Sequence, residues 1–260
     1  MININLFTIG ETGWFENFIE EYTPISLNYW SNETFMDALP IVAQGIQITL
    51  LLTVTTFILS LILGFFWLIL ESTPFRIVNL TVYWVREFIR TTPPLIQIFF
   101  VYYGLPMLQF VDISFTPFMA GMIALGVHFS TYISEVYRSG IESVPKGQTE
   151  ASIALNISKF DKWTKVILPQ AIPPTIPMLG NYLIILFKEV PLAATIGVLG
   201  ILQIARNYGS QHWSYLEPLT IAALFFLVLS YPTALLIRWL EDKINNNDTA
   251  AKKAKRKVEV

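Results

Sequence analysis

Polar and charged residues are sparse in this 260-residue chain, and several fall inside long apolar runs. Gln97, His128, Glu135, Lys188 and Glu189 all sit among Leu, Ile, Val, Phe and Ala. Ionisable side chains are costly in such surroundings, so their presence points to binding or conduction of a solute. Lys188 with Glu135 or Glu189 supplies the cation and the anion that a zwitterionic solute needs at its two ends. Tyr102, Tyr103 and Tyr132 add hydroxyls and ring faces against which a cationic group can sit. Lys188 and Glu189 are adjacent, so on a helix they project about 100° apart and cannot pair with each other. One is expected to meet Glu135 or a partner chain, while the other lines a cavity. Glu135 and Arg138, three residues apart, can pair on one helix face, with Arg138 reaching to the membrane edge. That pair suits a span-fixing role as well as a functional one. His128 reads as a hydrogen-bonded helix-contact residue, and His212 in "SQHWSY" as a residue of an outer loop. With no cysteine and only these two histidines, the usual metal-ligand spacings are absent. No catalytic residues, no metal and no enzyme activity are expected of the chain.

The elements that hold these residues follow from composition. Hydrophobic residues make up 53% and charged residues 14%, against about a quarter charged in a soluble domain. Mean hydropathy is +0.53, and the apolar residues come in blocks rather than at amphipathic spacing. An all-α integral membrane protein is expected, with transmembrane helices at about 39–70, 80–103, 115–136, 174–201 and 216–240. Each has room for the ~20 residues that cross the hydrocarbon core. "TTPPL" interrupts the second of these, and the prolines of "PPTIP" are expected to bend or interrupt the fourth.

Charge distribution orients the five spans. Residues 1–37 contain no Lys or Arg and six acids: Glu11, Glu16, Glu20, Glu21, Glu33 and Asp37. Cations gather at Arg76, Arg86 and Arg90, at Arg138, Lys146, Lys159, Lys162 and Lys165, and in the tail at Lys243, Lys252, Lys253, Lys255, Arg256 and Lys257. The positive-inside bias therefore places the N-terminus outside and the C-terminus in the cytoplasm. Three regions result. Residues 1–37 form an extracytoplasmic segment, in which Trp14, Phe15, Phe18, Ile19 and Tyr22 mark the apolar face of a surface helix. Residues 38–240 form the transmembrane domain, with a cytoplasmic loop at about 138–172. Residues 241–260 form a basic tail, expected to be disordered and drawn to anionic lipid rather than to nucleic acid. No removable signal peptide is evident at the N-terminus.

The loop "KGQTEASIALNISKFDKWTKVILPQ" is charged and helix-friendly between apolar neighbours. Residues 150–155 favour a short helix. Asn156 suits the left-handed conformation that ends one, and Ser158 suits the N-cap of the next. Phe160, Trp163 and Ile167 then recur at helical spacing as one apolar stripe, which Pro169 is expected to stop. A helix this short does not persist alone in water. It packs either on this chain's own surface or in a groove of a partner.

The same loop resembles the coupling loop of bacterial ABC import permeases, whose pattern is Glu-Ala-Ala, three residues, Gly, nine residues, Ile, one residue, Leu-Pro. Here it reads Glu150-Ala151-Ser152, Asn156 at the glycine position, then Val166, Leu168 and Pro169. "FIRTTPPLIQIFFVYYGLP", "YISEVYRSGIESVPKGQ" and "LPQAIPPTIPMLGNYLIILFKEVPLAATIGV" resemble further blocks of the polar amino acid branch. "KEVPL" stands where that branch more usually has Lys-Asp-Thr-Ser-Leu. "ALGVHFSTYISEVYR", "EASIALN" and "SYLEPLTIAALFFLVLSYPTALLIRWLE" look nearest to the ectoine/hydroxyectoine permeases.

The resemblance covers about residues 43–243 and implies a type I ABC importer permease in the bacterial inner membrane. It implies a second permease chain, identical or paralogous, an ATPase dimer that binds the ATP, and an extracytoplasmic solute-binding protein that delivers a small polar zwitterion. It implies ATPase contact at Glu150, Ala151, Ser152, Asn156, Phe160, Trp163, Leu168 and Pro169. Gln97, Tyr102, Tyr132, Glu135, Lys188 and Glu189 would line the substrate path. The chain has no Gly-x-x-x-x-Gly-Lys-Ser/Thr loop to cradle ATP itself. A secondary transporter or channel subunit is the alternative; it would call for inverted repeats, which the five spans do not show. A purely structural membrane subunit fits the hydropathy but not the loop.

Overall fold

The computed structural model describes residues 30–108 and 113–258, with side chains through residue 244. The surface helix expected around Trp14 to Tyr22 lies outside the described residues. No strand occurs among those described. The chain begins with α1 (Asn32–Ala43), whose first turn is capped by the Ser31 hydroxyl accepting from the Thr34 N–H at 3.1 Å. Helix α1 thus starts inside the 1–37 segment expected to lie outside the membrane domain, and α2 (Gly45–Glu71) follows at Gln44. Helix α3 is Arg76–Thr91 and α4 is Pro94–Phe99, the latter continuing through a π-turn to Gly104 and a 3-10 turn to Met107. Helix α5 is Pro117–Glu142, α6 is Lys146–Ala154 and α7 is Lys159–Asp161. Helix α8 (Leu168–Glu189) leads into a 3-10 turn, then come α9 (Ile201–His212) and α10 (Leu216–Val258).

Three helical stretches are long and apolar enough to cross a bilayer: Asn32–Glu71, Lys159–Ile196 and Leu216–Ile244. Helix α5 lies among the others, with Ala124, Leu125, Phe129 and Ile133 buried. Its core neighbours are Leu52 of α2, Ile98 of α4 and Leu186 of α8. A second cluster joins Ala38 and Val42 of α1 to Ile201 and Ala205 of α9 and Ile221 of α10. Small and hydroxylated residues let these backbones approach, as helix packing in lipid requires. A Cβ on Gly45 would stand 2.5 Å from the Ile201 nitrogen. Thr49, one turn on, accepts the Ile201 N–H at 3.0 Å. Glu217, fully enclosed at the start of α10, accepts the Ser31 N–H at 2.7 Å and the Ser214 hydroxyl, tying the start of α1 to that of α10.

Several expectations need correction. The stretch 80–103 is not one interrupted span: α3 is an amphipathic helix turned inside out, and the Thr92–Pro93 break separates it from a short apolar helix, Pro94–Met107. In α3, Ile77, Trp84 and Phe88 are exposed while Arg86 is buried, a polarity suited to a helix with lipid on one side and a polar bundle interior on the other. Pro169 does not stop the loop helix: Lys159–Ile196 is one continuous helical stretch, in which the π-turn Lys162–Ile167 runs straight into α8, a local adjustment of the kind that lets a helix carry a proline. Pro173, Pro174 and Pro177 lie within α8 without interrupting it. Side chains of the same segment cover nearby carbonyls: Thr175 donates to the Ile172 carbonyl at 2.6 Å and Gln170 to that of Val166 at 2.7 Å. The basic tail, expected to be disordered, continues α10 as helix to Val258. Its Ala, Lys and Arg residues are strong helix formers on an already nucleated span.

Candidate functional site

Five charged residues from three helices meet where α2 ends. Arg86 and Arg90 are one turn apart on α3, Glu135 and Arg138 lie on α5, and Glu71 closes α2. Arg86 is 4% exposed and pairs with both Glu71 and Glu135, while its guanidinium also donates to the Thr131 carbonyl at 3.1 Å. Arg138 pairs with Glu71, and Arg90 approaches Glu135 at 3.6 Å. Glu135 and Arg138 therefore do not pair directly, as their spacing had suggested; each meets its counter-charge from another helix. The position of Arg86 is dictated by the same periodicity that buries Val82, one turn earlier on the inner face of α3. A guanidinium in that place must be paired, and its fork satisfies two carboxylates and a carbonyl together.

Three cations (Arg86, Arg90, Arg138) face two carboxylates (Glu71, Glu135), so one positive charge is left over. Arg90 is the most loosely held of the three. Besides its long approach to Glu135, its guanidinium carbon lies 5.5 Å from the centre of the Tyr132 ring. Tyr132 stacks on Tyr182 of α8 at 5.7 Å and 29°, and His128 leans on Tyr132 at 5.4 Å. Arg90, Tyr132 and Tyr182 thus form a cationic and aromatic platform between α3, α5 and α8.

The other expected path residues are placed differently. Gln97 holds the helix break, its side-chain amide donating to the Ile89 carbonyl at 2.7 Å and the Thr92 carbonyl at 3.0 Å. Tyr102 is half-buried against the core and edge-on to Tyr103 at 4.7 Å. Lys188 is exposed, whereas Glu189 is partly buried, with one carboxylate oxygen enclosed and lacking a hydrogen-bond partner among the described residues. Neither Lys188 nor Glu189 pairs with Glu135, whose carboxylate is taken by the two arginines of α3. Sequence reasoning counted Arg86 and Arg90 only as markers of orientation and left Glu71 and Tyr182 aside. The available signal was the one-turn spacing of two arginines next to a helix break.

The 146–169 loop forms the second constellation. Helix α6 starts earlier than the sequence suggested, at Lys146 behind Pro145. Asn156 adopts a left-handed φ of 52°. The Ile157 N–H returns to the Ser152 carbonyl at 3.0 Å and the Asn156 N–H to that of Ile153 at 3.0 Å, a Schellman closure. Ser158 then caps α7, its hydroxyl accepting the Asp161 N–H at 3.1 Å. Lys165 and Ser158 both bond the Asp161 carboxylate, which holds its pKa below the usual range. These local bonds fix the angle between α6 and α7. Ser152 is buried, while Ile153, Leu155 and Phe160 stand exposed, Leu155 at 74% and Phe160 at 76%. The expected Phe160–Trp163–Ile167 stripe is split, because residues 162–167 are wound as a π-helix that turns Ile167 inward and leaves Phe160 in solvent. Asn156→Val should destabilise the loop by about 1–2 kcal/mol through strain at positive φ, while Asn156→Gly leaves it intact. Hydrogen exchange at the Ser152–Ile157 amides checks both.

A helical bundle with three stretches long and apolar enough to cross a bilayer is that of a membrane protein. Residues 57–246 match the family described as binding-protein-dependent transport system inner membrane component. A probable amino-acid ABC transporter permease protein of Sinorhizobium fredii, y4tG, is 39% identical over 77% of this chain and 85% of its own length. The arginine transport system permease protein ArtQ of Bacillus subtilis is 33% identical over 81% of this chain and 95% of its own. Among solved structures, a chain of an amino acid ABC transporter crystallised with histidines superposes with a TM-score of 0.76 at 29% identity, covering 84% of this chain and 100% of that one. The chain belongs to this family of binding-protein-dependent inner membrane permeases, and is a multi-pass protein of the inner membrane.

Proposed function

We propose that this chain is one permease half of an ATP-driven importer for small polar zwitterions: amino acids or the related solutes ectoine and hydroxyectoine. A second permease, identical or paralogous, completes the path. A soluble extracytoplasmic protein delivers the solute, and an ATPase dimer binds on the side of α6. On this reading the chain crosses the membrane five times, with its N-terminus outside and its C-terminus in the cytoplasm. The names of the relatives support an amino acid cargo, and the acid-rich start and cation-rich loops support the orientation.

The observation that carries the reading is the α6–α7 projection. It is stapled by a Schellman closure and an N-cap, yet it presents Ile153, Leu155 and Phe160 to solvent. A rigid lever with an apolar ridge has the form of an insert for a groove on another protein, since bare apolar surface at a helix end gains by being covered. Closure of the ATPase pair would move the projection, and its continuity with α8 would carry that movement into the membrane domain. Glu150, Ala151, Ser152, Asn156, Phe160, Trp163, Leu168 and Pro169 make up this coupling element. The solute would lie at the Arg90–Tyr132–Tyr182 platform, its carboxylate on Arg90 and its cationic group toward Glu189.

Reconstitution of the complete complex in vesicles tests the reading. Glu150→Lys is expected to abolish ATP-driven uptake while leaving membrane insertion intact, with ATP hydrolysis no longer responsive to the solute-loaded binding protein. Undiminished uptake by this variant refutes the coupling role. Competition between ectoine and polar amino acids in the same vesicles assigns the cargo.

A further inference from the structure

Beside the α2–α3 turn the structure holds two adjoining cavities, of whose lining the transport reading uses only Trp163 and Leu168. One, of about 660 Å³, has a mixed lining in which Ser72, Arg76, Asn79, Tyr83, Arg138 and Glu142 supply the polar part. The other, of about 880 Å³, is an apolar groove bounded by Phe65, Ile69, Tyr137, Ile172, Ile176 and Leu179. Leu68, Ser72, Ile141 and Trp163 line both, so the chamber and the groove adjoin.

The charges of the polar chamber are arranged unusually. Arg138 and Glu71 are committed to the buried network. Arg76 and Glu142 form no ion pair among the described residues. Each also stands against its own helix. Arg76 is the first residue of α3, at the end where a helix favours anions, and no acid or side-chain cap relieves that first turn. Glu142 is the last residue of α5, at the end where a helix favours cations, and no basic residue shares that last turn. Both side chains are exposed, and each placement is unfavourable to its helix unless a counter-charge arrives from outside. An anion at α3 would meet both Arg76 and the uncapped N–H groups, as phosphates do at helix starts. A cation at the end of α5 would meet the Glu142 carboxylate; the Ser139, Gly140 and Ile141 carbonyls there are already taken by the Ser143 N–H, the Ser143 hydroxyl and the Val144 N–H.

We propose that these adjoining cavities bind one membrane phospholipid with a phosphoethanolamine headgroup: phosphate at Arg76, ammonium at Glu142, and an acyl chain in the groove past Trp163. The one unpaired positive and one unpaired negative charge of the chamber match a zwitterionic headgroup and disfavour a purely anionic one. The groove gives the chain a bed that flat lipid-facing helix surfaces lack. The site joins the α2–α3 turn, the end of α5 and the start of α8, so an ordered lipid there would brace the root of the α6–α7 projection.

The test uses the full chain with its co-purifying subunits in nanodiscs made from equal parts phosphoethanolamine and phosphoglycerol lipids. The lipids retained after release are counted by native mass spectrometry. One phosphoethanolamine lipid per copy of this chain is expected, enriched about tenfold over its competitor, as one charge-assisted contact allows. Arg76→Ala and Glu142→Gln should each reduce retention to the bulk ratio, while Arg76→Lys keeps the preference and controls for misfolding. Retained lipid that tracks the bulk mixture in the unaltered protein overturns the proposal, as does a preference for the phosphoglycerol lipid. So does a photo-crosslinker at Ile176, within the apolar groove and outside the coupling element, that labels another protein chain in place of lipid.

Discussion

Arg86→Ala is expected to cost about 3–5 kcal/mol, the range for removing one partner from a buried ion pair, and to prevent assembly of a stable complex. The loss comes from what is left behind. Glu71, only 10% exposed, would keep Arg138 but lose its buried partner, and the Thr131 carbonyl would lose its donor. Glu135 is open to water on one side and retains Arg90, so its share of the loss is screened and small. The substitution also removes the bond that ties α3 to both α2 and α5, and α3 is too polar on its inner face to stay in place by apolar burial. A change of the pair as a unit should behave differently. Arg86→Met with Glu71→Gln removes both buried charges and is expected to recover most of the stability, since apolar substitutes for a buried pair are often neutral or better. Thermal unfolding of the purified complex in detergent, followed by the fraction remaining monodisperse, distinguishes the two variants. Equal instability of single and double variants would show that the arginine acts through its shape and not through its charge.

The ion network also marks where sequence reading reached its limit. The apolar blocks set the helical class and the approximate places of α2, α5, α8 and α10, because long runs of Leu, Ile and Phe in lipid have one backbone solution. The loop was legible in finer detail. Asn156 takes the left-handed turn and Ser158 the N-cap because both are local hydrogen-bond problems with few answers. Pairings between helices are not local. Glu71, Arg86 and Glu135 are separated by tens of residues, and only packing of α3 across α2 and α5 brings them together. The one-turn pair Glu135/Arg138 offered a nearer and simpler partner, and the structure declines it. The π-helix at 162–167 was equally hidden, since one extra residue per turn rotates Phe160 and Ile167 onto different faces without any signature in residue type. Gln97 shows the converse. A polar residue in an apolar run signalled function, but its amide is used to hold the Thr92–Pro93 break, whose carbonyls would otherwise lie unpaired in lipid.

That division of labour bears on solute recognition. Both terminal nitrogens of Arg86 are spent on holding helices together, whereas Arg90, 34% exposed, has only a 3.6 Å approach to Glu135 and the face of Tyr132. A guanidinium that is positioned but not saturated is the group best able to accept a solute carboxylate through two parallel hydrogen bonds. Arg90→Ala should therefore leave the buried pairs of Arg86 intact and weaken solute binding by about 1.5–3 kcal/mol, the worth of hydrogen bonds to a charged group. That corresponds to roughly ten- to hundredfold in affinity. Arg90→Lys keeps the charge without the fork and should fall between. Glu189→Gln tests the other end of the solute: it should weaken binding of a zwitterion while leaving a carboxylate analogue without the ammonium group nearly unaffected. Calorimetric titration of the purified complex without its soluble binding protein isolates these effects, because delivery then no longer sets the apparent affinity. If Arg90→Ala lowers the unfolding temperature as far as Arg86→Ala does, Arg90 belongs to the clamp. If its unfolding is unchanged and zwitterion affinity is also unchanged, the solute lies elsewhere in the bundle.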